Sequence, residues 1–315
     1  MMDNIKQFDG AVVNLSKRLS EMFLSMDDTD KNRIREIRIR NRRPVTVITD
    51  KGTEFLTSSG RITQIYSSLT VTTDENEVAE IFRRICGYSV HSFADAINHG
   101  YITVNGGHRA GVAGTAVTEN GKITAVRDIC AVNLRIAREI KGAADDVMRM
   151  FFSHGLCSVI IAGPPSSGKT TVLRDLARQL SSAEGLFRKT FICDERGEIG
   201  AVFSGIEQND IGINSDLITS YPKAEGIMIG LRSFSPDIII CDEVSTYEEV
   251  QAIVSGVNSG VCFALSIHAR DETELKSKPL LKMLLGTGEF GKVVLLSDER
   301  VGKTERIYGA GELIV

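Results

Sequence analysis

The segment Gly163-Pro164-Pro165-Ser166-Ser167-Gly168-Lys169-Thr170 constrains the fold of this 315-residue chain more than any other, because it satisfies G-x-x-x-x-G-K-[ST] at every fixed position. A loop of this kind needs a buried strand before it and a helix after it. The glycines let successive backbone N–H groups point inward at phosphate oxygens, the lysine neutralises the β- and γ-phosphates, and the last hydroxyl can ligate Mg²⁺. The flanks comply: the apolar run Val159-Ile160-Ile161 leads in, and Thr171 to Leu180 reads as a helix whose N-terminal dipole favours an anion. Gly163, Pro164, Pro165, Ser166, Ser167, Gly168, Lys169, Thr170 and Thr171 are therefore the candidate nucleotide-binding residues.

Such a loop also requires a second group for Mg²⁺ and one to orient water. The segment Asp237-Ile238-Ile239-Ile240-Cys241-Asp242-Glu243 offers both at the end of an apolar strand. In that reading Thr170 and Asp242 hold the metal and Glu243 is the general base. Taken alone, an Asp-Glu pair in this position could equally cap the helix that follows. The chain contains neither an N-K-x-D guanine-recognition motif nor an H-R-D kinase set, which favours ATP over GTP and hydrolysis over protein phosphorylation. ATP and Mg²⁺ are thus the implied ligands.

The rest of the chain reads as two domains, consistent with its length and with 42% apolar and 25% charged residues. Residues 1–142 read as an α+β N-terminal domain. An amphipathic helix is expected from Phe8 to Met26, a hairpin around Asn41-Arg42-Arg43-Pro44, a helix from Thr73 to Cys86, and strands between Gly100 and Gly121. Residues 143–315 read as an α/β domain, with buried parallel strands at Val159–Ile161, Thr190–Cys193, Ile238–Cys241 and Val261–Ile267. The overall expectation is an α/β fold: a RecA-like P-loop NTPase domain preceded by a smaller α+β domain.

Net charge of -4 gives no global basic field for duplex nucleic acid. Six scattered cysteines without metal-ligand spacing fit a reducing cytoplasm, and the N-terminus lacks the apolar core of a signal peptide. The longest charge-free stretch, Val250 to Ile267, is interrupted by polar residues and glycines and reads as helix, turn and strand instead of a membrane span.

Beyond the P-loop, the order of motifs resembles the type II/type IV secretion and pilus ATPases, over nearly the whole chain. Leu231-Arg232-Ser233-Phe234-Ser235-Pro236-Asp237, Glu243, Glu248 and Ser266-Ile267-His268-Ala269 look like that family's Walker B region leading into its His box. Cys193-Asp194-Glu195-Arg196-Gly197-Glu198-Ile199 looks like its Asp box. Three further segments resemble the sporulation-type branch: Arg35 to Arg40 with Arg43-Pro44, Gly106-Gly107-His108-Arg109-Ala110-Gly111, and Asn133 to Glu139.

The resemblance implies a homo-oligomeric, hexameric ring, cytoplasmic and peripherally associated with the membrane proteins of an export complex, here the mother cell to forespore channel. It also implies catalytic roles for Glu243, Glu195 as the alternative base, His268 as a γ-phosphate sensor, and Arg109 and Arg135 as arginines reaching the nucleotide from the N-terminal domain. Each has a plainer reading: strand-edge solvation for the arginines and a satisfied core position for the histidine. The chain departs from the family in carrying Asp242 where many members have Gly, and in lacking a tetracysteine module and an extended second N-terminal domain. A RecA-like translocase of single-stranded nucleic acid and a nucleotide-regulated scaffold are the alternatives. Only 6% aromatic residues and no Trp leave few stacking platforms, which argues against nucleic acid as the partner.

Overall fold

The computed structural model describes residues 2–98, 100–183 and 186–314. The chain divides into two compact units, Met1–Glu139 with Phe203–Gln208, and Ile140–Val202 with Asn209–Val315.

The first unit opens with helices α1 (Met2–Val12), α2 (Lys17–Leu24) and α3 (Asp28–Arg33). The single helix expected from Phe8 to Met26 is therefore broken. Asn14 turns its side-chain amide back onto the Gly10 and Ala11 carbonyls, and Ser16 caps α2 by accepting the Leu19 N–H. These local side-chain bonds outcompete helix propagation, although Leu15 and Leu19 both stay in the core. Then follow β1 (Glu36–Arg40), β2 (Thr46–Thr49), β3 (Gly52–Leu56), β4 (Ile62–Thr63), α4 (Glu75–Ile85), a 3-10 turn at Val90–Phe93, α5 (Ala94–Asn98), β5 (Tyr101–Val104), β6 (His108–Glu119) and β7 (Lys122–Arg135).

These strands form an antiparallel sheet in the order β4-β3-β2-β1-β7-β6-β5. Period-two alternation sorts its faces. Ile37, Ile39, Ile102, Val104, Ala110, Val132 and Leu134 are buried in the core with Phe8, Leu19, Phe23 and Ile81. Glu36, Arg38, Arg40, Arg109, Asn133 and Arg135 alternate with them and so stand on the opposite face.

The second unit comprises α6 (Asp145–Phe151), β8 (Val159–Gly163), α7 (Lys169–Ser181), β9 (Thr190–Asp194), β10 (Ser215–Thr219), α8 (Lys223–Ser233), β11 (Ile238–Cys241), α9 (Tyr247–Asn258), β12 (Cys262–His268), α10 (Glu272–Ser277), α11 (Pro279–Leu285), β13 (Lys292–Leu296), β14 (Thr304–Gly309) and α12 (Ala310–Ile314). Its sheet runs β10-β9-β11-β12-β8-β13-β14. All neighbours are parallel except β13 and β14.

The four strands expected from sequence are β8, β9, β11 and β12, four of the five inner ones, where buried residues predominate. Ile160 and Ala162 pack into one core and Val159 and Ile161 into the other, as a sheet covered on both faces requires. Two of the three strands that sequence reading missed are edge strands, and β10 and β14 are only half-buried.

Candidate nucleotide site

The carboxyl ends of the parallel strands, where open α/β sheets bind ligands, carry the candidate residues. Strand β8 delivers Gly163, and α7 begins at Lys169. Between them Ser166 (φ 65°) and Gly168 (φ 95°) turn the backbone left-handed. A Cβ on Gly168 would lie 2.6 Å from Val301 Cγ1 and 2.7 Å from the Gly302 nitrogen, so only glycine fits. The Gly302 N–H donates to the Ser167 carbonyl at 2.8 Å, which fastens the loop to the turn between β13 and β14. The Ser167 hydroxyl is buried, with no hydrogen-bond partner among the described residues.

Lys169 folds over its own loop, donating to the Gly163 and Pro164 carbonyls at 2.9 and 2.8 Å. Burial holds its ammonium below the usual lysine range, against the opposing pull of Asp242 and Glu243. The Thr170 hydroxyl donates to one Asp242 carboxylate oxygen, and the Ser266 hydroxyl donates to the other. Ser266 also accepts the Glu243 N–H at 2.7 Å. This serine, one strand over on β12, therefore fixes both acidic residues at the end of β11.

Glu243 is itself left-handed, at φ 55°. Its carboxylate pairs with the Arg196 guanidinium, and its carbonyl accepts from Lys223 at 2.8 Å. Arg196 and Glu195 ride on the turn after β9. Asp194 shapes that turn: its buried carboxylate accepts the N–H groups of Glu198, Ile199 and Gly200 at 2.8, 3.0 and 2.9 Å. Burial pushes the Asp194 carboxyl up, and the three N–H groups pull it down. Arg174 of α7 ties the same turn to the P-loop helix by donating to the Ile199 carbonyl at 2.9 Å. Glu195 lies 3.5 Å from the Lys223 ammonium. His268 closes β12 beside Gly163 in the parallel register, with Nδ1 3.8 Å from Glu274.

The second unit thus brings together the P-loop, Asp242, Glu243, Glu195 and His268. Arg109 and Arg135 belong to the first unit, directly opposite each other on β6 and β7. Arg109 lies over the Tyr101 ring at 4.9 Å, and Arg135 Nε is 3.9 Å from Glu36. Lys223, Ser266 and Arg196 had no assigned role in the sequence reading. Lys223 and Ser266 are distant in sequence from Asp242, and only the strand order shows them converging.

A P-loop leading into a helix, beside an acidic strand end in a largely parallel sheet, and preceded by an α+β unit, defines a RecA-like P-loop protein of the secretion-ATPase fold. The ATPase DotB from Legionella pneumophila shares that fold with a TM-score of 0.52 and 17% identity, covering 83% of this chain and 72% of that one. The pilus retraction motor PilT, solved with bound ADP, gives 0.54 and 16%, covering 83% and 74%. The family model for sporulation stage III, protein AA, matches residues 9–313, and the chain belongs to that family. The stage III sporulation protein AA of Bacillus subtilis (strain 168) is 36% identical over 278 residues, 87% of this chain and 86% of that protein. Among the described residues no helix is long and apolar enough to cross a membrane.

Proposed function

We propose that the chain is an Mg²⁺-dependent ATPase that powers or gates a membrane export complex, the sporulation channel between mother cell and forespore. The observation that carries this reading is the bond from Thr170 to Asp242, which joins the P-loop to the acidic strand end. The chemistry of that pair fits Mg²⁺. One hydroxyl and one carboxylate are the few protein oxygens that Mg²⁺ takes when phosphates and water supply the rest. When bound, the metal would neutralise charge on the β- and γ-phosphates.

The chain's own groups divide the remaining work. Backbone N–H groups from Ser166, Ser167, Gly168, Lys169, Thr170 and Thr171 cradle the phosphates, Gly163, Pro164 and Pro165 shape the entry to the loop without donating from the prolines, and the buried Ser167 hydroxyl is a further donor within it. Lys169 leaves the two carbonyls it now caps and meets the β/γ-phosphates. Glu243 orients the attacking water and takes its proton, with Glu195 as the second candidate. Glu243 directly follows Asp242 at the end of β11, beside the P-loop hydroxyl that Asp242 accepts from, which favours Glu243 as the base. His268 senses the γ-phosphate from the next strand. Arg109 and Arg135 supply charge from the N-terminal domain, residues 1–142, to the ATPase domain, 143–315. Such arginines would couple nucleotide state to domain motion in a hexameric homo-oligomer.

The chain would work in the cytoplasm, peripherally bound to membrane proteins of the export complex, without nucleic acid as a partner. Glu243→Gln tests the reading: it should bind MgATP as the wild type does and lose turnover by about 10²-fold or more. A variant that loses nucleotide binding first would mean that Glu243 serves the metal and not the water.

A further inference from the structure

The Lys223 side chain is a buried cation, only 5% exposed, placed among three elements of the candidate site. It lies at the start of α8. Its ammonium donates to the Glu243 carbonyl at 2.8 Å and lies 3.5 Å from both Glu195 and Glu249. Glu249 belongs to the capping box of α9, its other oxygen accepting the Ser245 N–H at 2.7 Å and closing on the Thr246 N–H. One ammonium therefore links the end of β11, the turn after β9 and the start of α9.

The backbone at Glu243 explains why such a link is needed. A non-glycine residue at φ 55° is strained and persists only when its surroundings over-determine it. Two bonds hold this residue from opposite sides: Ser266 takes its N–H, and Lys223 gives to its carbonyl. If the Lys223 bond is removed, the peptide is free to relax toward ordinary φ, which swings the Glu243 carboxylate off its aim. A charged amine taken out of water is itself costly. The two carboxylates and the carbonyl offset that cost, and Lys223 fills no apolar position that a methionine would not.

We propose that Lys223 is a positioning residue for hydrolysis: it holds the Glu243 peptide in its left-handed conformation and so aims the carboxylate. This rests on the assignment of Glu243 as the base made above. Lys223 touches no phosphate in this scheme, so its loss shows in turnover and not in nucleotide affinity.

The test compares full-length wild type, Lys223→Met and the double variant Lys223→Met/Glu249→Gln, measuring kcat and KM for MgATP, binding of a fluorescent ATP analogue, and thermal midpoint. The single variant leaves Glu249 buried without its cation and is expected to melt lower. The double variant neutralises that charge while Gln preserves the capping box, so its midpoint should recover. Its kcat should stay down by about 10²-fold or more, with KM and analogue binding within about threefold of wild type. Recovery of kcat along with the midpoint would reduce Lys223 to a structural ion pair and overturn the proposal. A loss confined to KM or analogue binding would overturn it too. A double variant that turns over normally beside an active wild type refutes the role of Lys223 alone, whereas an inactive wild type refutes the ATPase reading and this proposal with it.

Discussion

Asp194→Asn is the most informative single-atom change outside the P-loop. In the wild type one carboxylate oxygen accepts the Glu198 N–H at 2.8 Å, and the other accepts those of Ile199 and Gly200 at 3.0 and 2.9 Å. An asparagine can place its single carbonyl oxygen on the Ile199/Gly200 side and keep two bonds. Its amide then faces the Glu198 N–H donor to donor. The loss is one charge-assisted bond, about 1.5–3 kcal/mol, plus an unsatisfied donor at about 1–3 kcal/mol, less what relaxation recovers, giving roughly 2–5 kcal/mol. Because the shifted turn carries Glu195 and Arg196, the groups facing Lys223 and Glu243 move with it. Urea denaturation should show the stability loss, and steady-state hydrolysis should fall by about tenfold or more while MgATP binding is retained. A variant within about 0.5 kcal/mol of wild type and with full turnover would refute the view that this carboxylate builds the turn.

Two further outcomes follow from the first unit. Arg109→Ala or Arg135→Ala should each lower turnover by about 10²-fold with a much smaller effect on ATP binding if these arginines stabilise charge on the γ-phosphate; unchanged hydrolysis would leave them as solvated strand residues. His108 is fully buried, its Nδ1 accepts the Ala137 N–H at 3.0 Å, and burial pulls its pKa down from 6.5 to about 4. The folded state therefore binds the proton less readily than the unfolded chain. The stability this confers is complete above pH 6.5 and is lost as pH falls toward 4, by up to about 3 kcal/mol. Denaturation at pH 7.5 and pH 4.5 should show that loss, and His108→Gln, which keeps an acceptor but cannot be protonated there, should flatten it. An equally steep loss in the variant would assign the acid sensitivity to other groups.

The parts legible in the sequence are those written by local necessity. A phosphate loop must follow a buried strand and open a helix, so the P-loop carried β8 and α7 with it. The Asp-Glu pair likewise came at the end of an uninterrupted apolar strand. What remained illegible depends on which strands become neighbours. Ser266 reads as one polar residue of the expected strand Val261–Ile267, at the start of the His-box stretch, until β12 is set beside β11, where its hydroxyl bridges Asp242 and Glu243. Lys223 carries no motif in the sequence; in the fold, burial leaves it almost no solvent and three oxygen partners. The break between α1 and α2 was hidden for the opposite reason: Leu15 and Leu19 keep helical spacing across a gap that Asn14 and Ser16 enforce with side-chain bonds. Strand β14 is a half-buried edge, with Thr304, Glu305 and Arg306 at its start, and it lacks the apolar run that marks the inner strands.

The account depends most on nucleotide hydrolysis at the P-loop, and the most direct measurement is phosphate release from ATP by the purified full chain, with Mg²⁺ and with EDTA, beside Lys169→Ala. Lys169 caps two loop carbonyls and is the cation of that loop. The account predicts phosphate release that requires Mg²⁺ and is abolished in a Lys169→Ala variant that remains folded by circular dichroism. Wild-type rates in that folded variant, or release undiminished by EDTA, would contradict it.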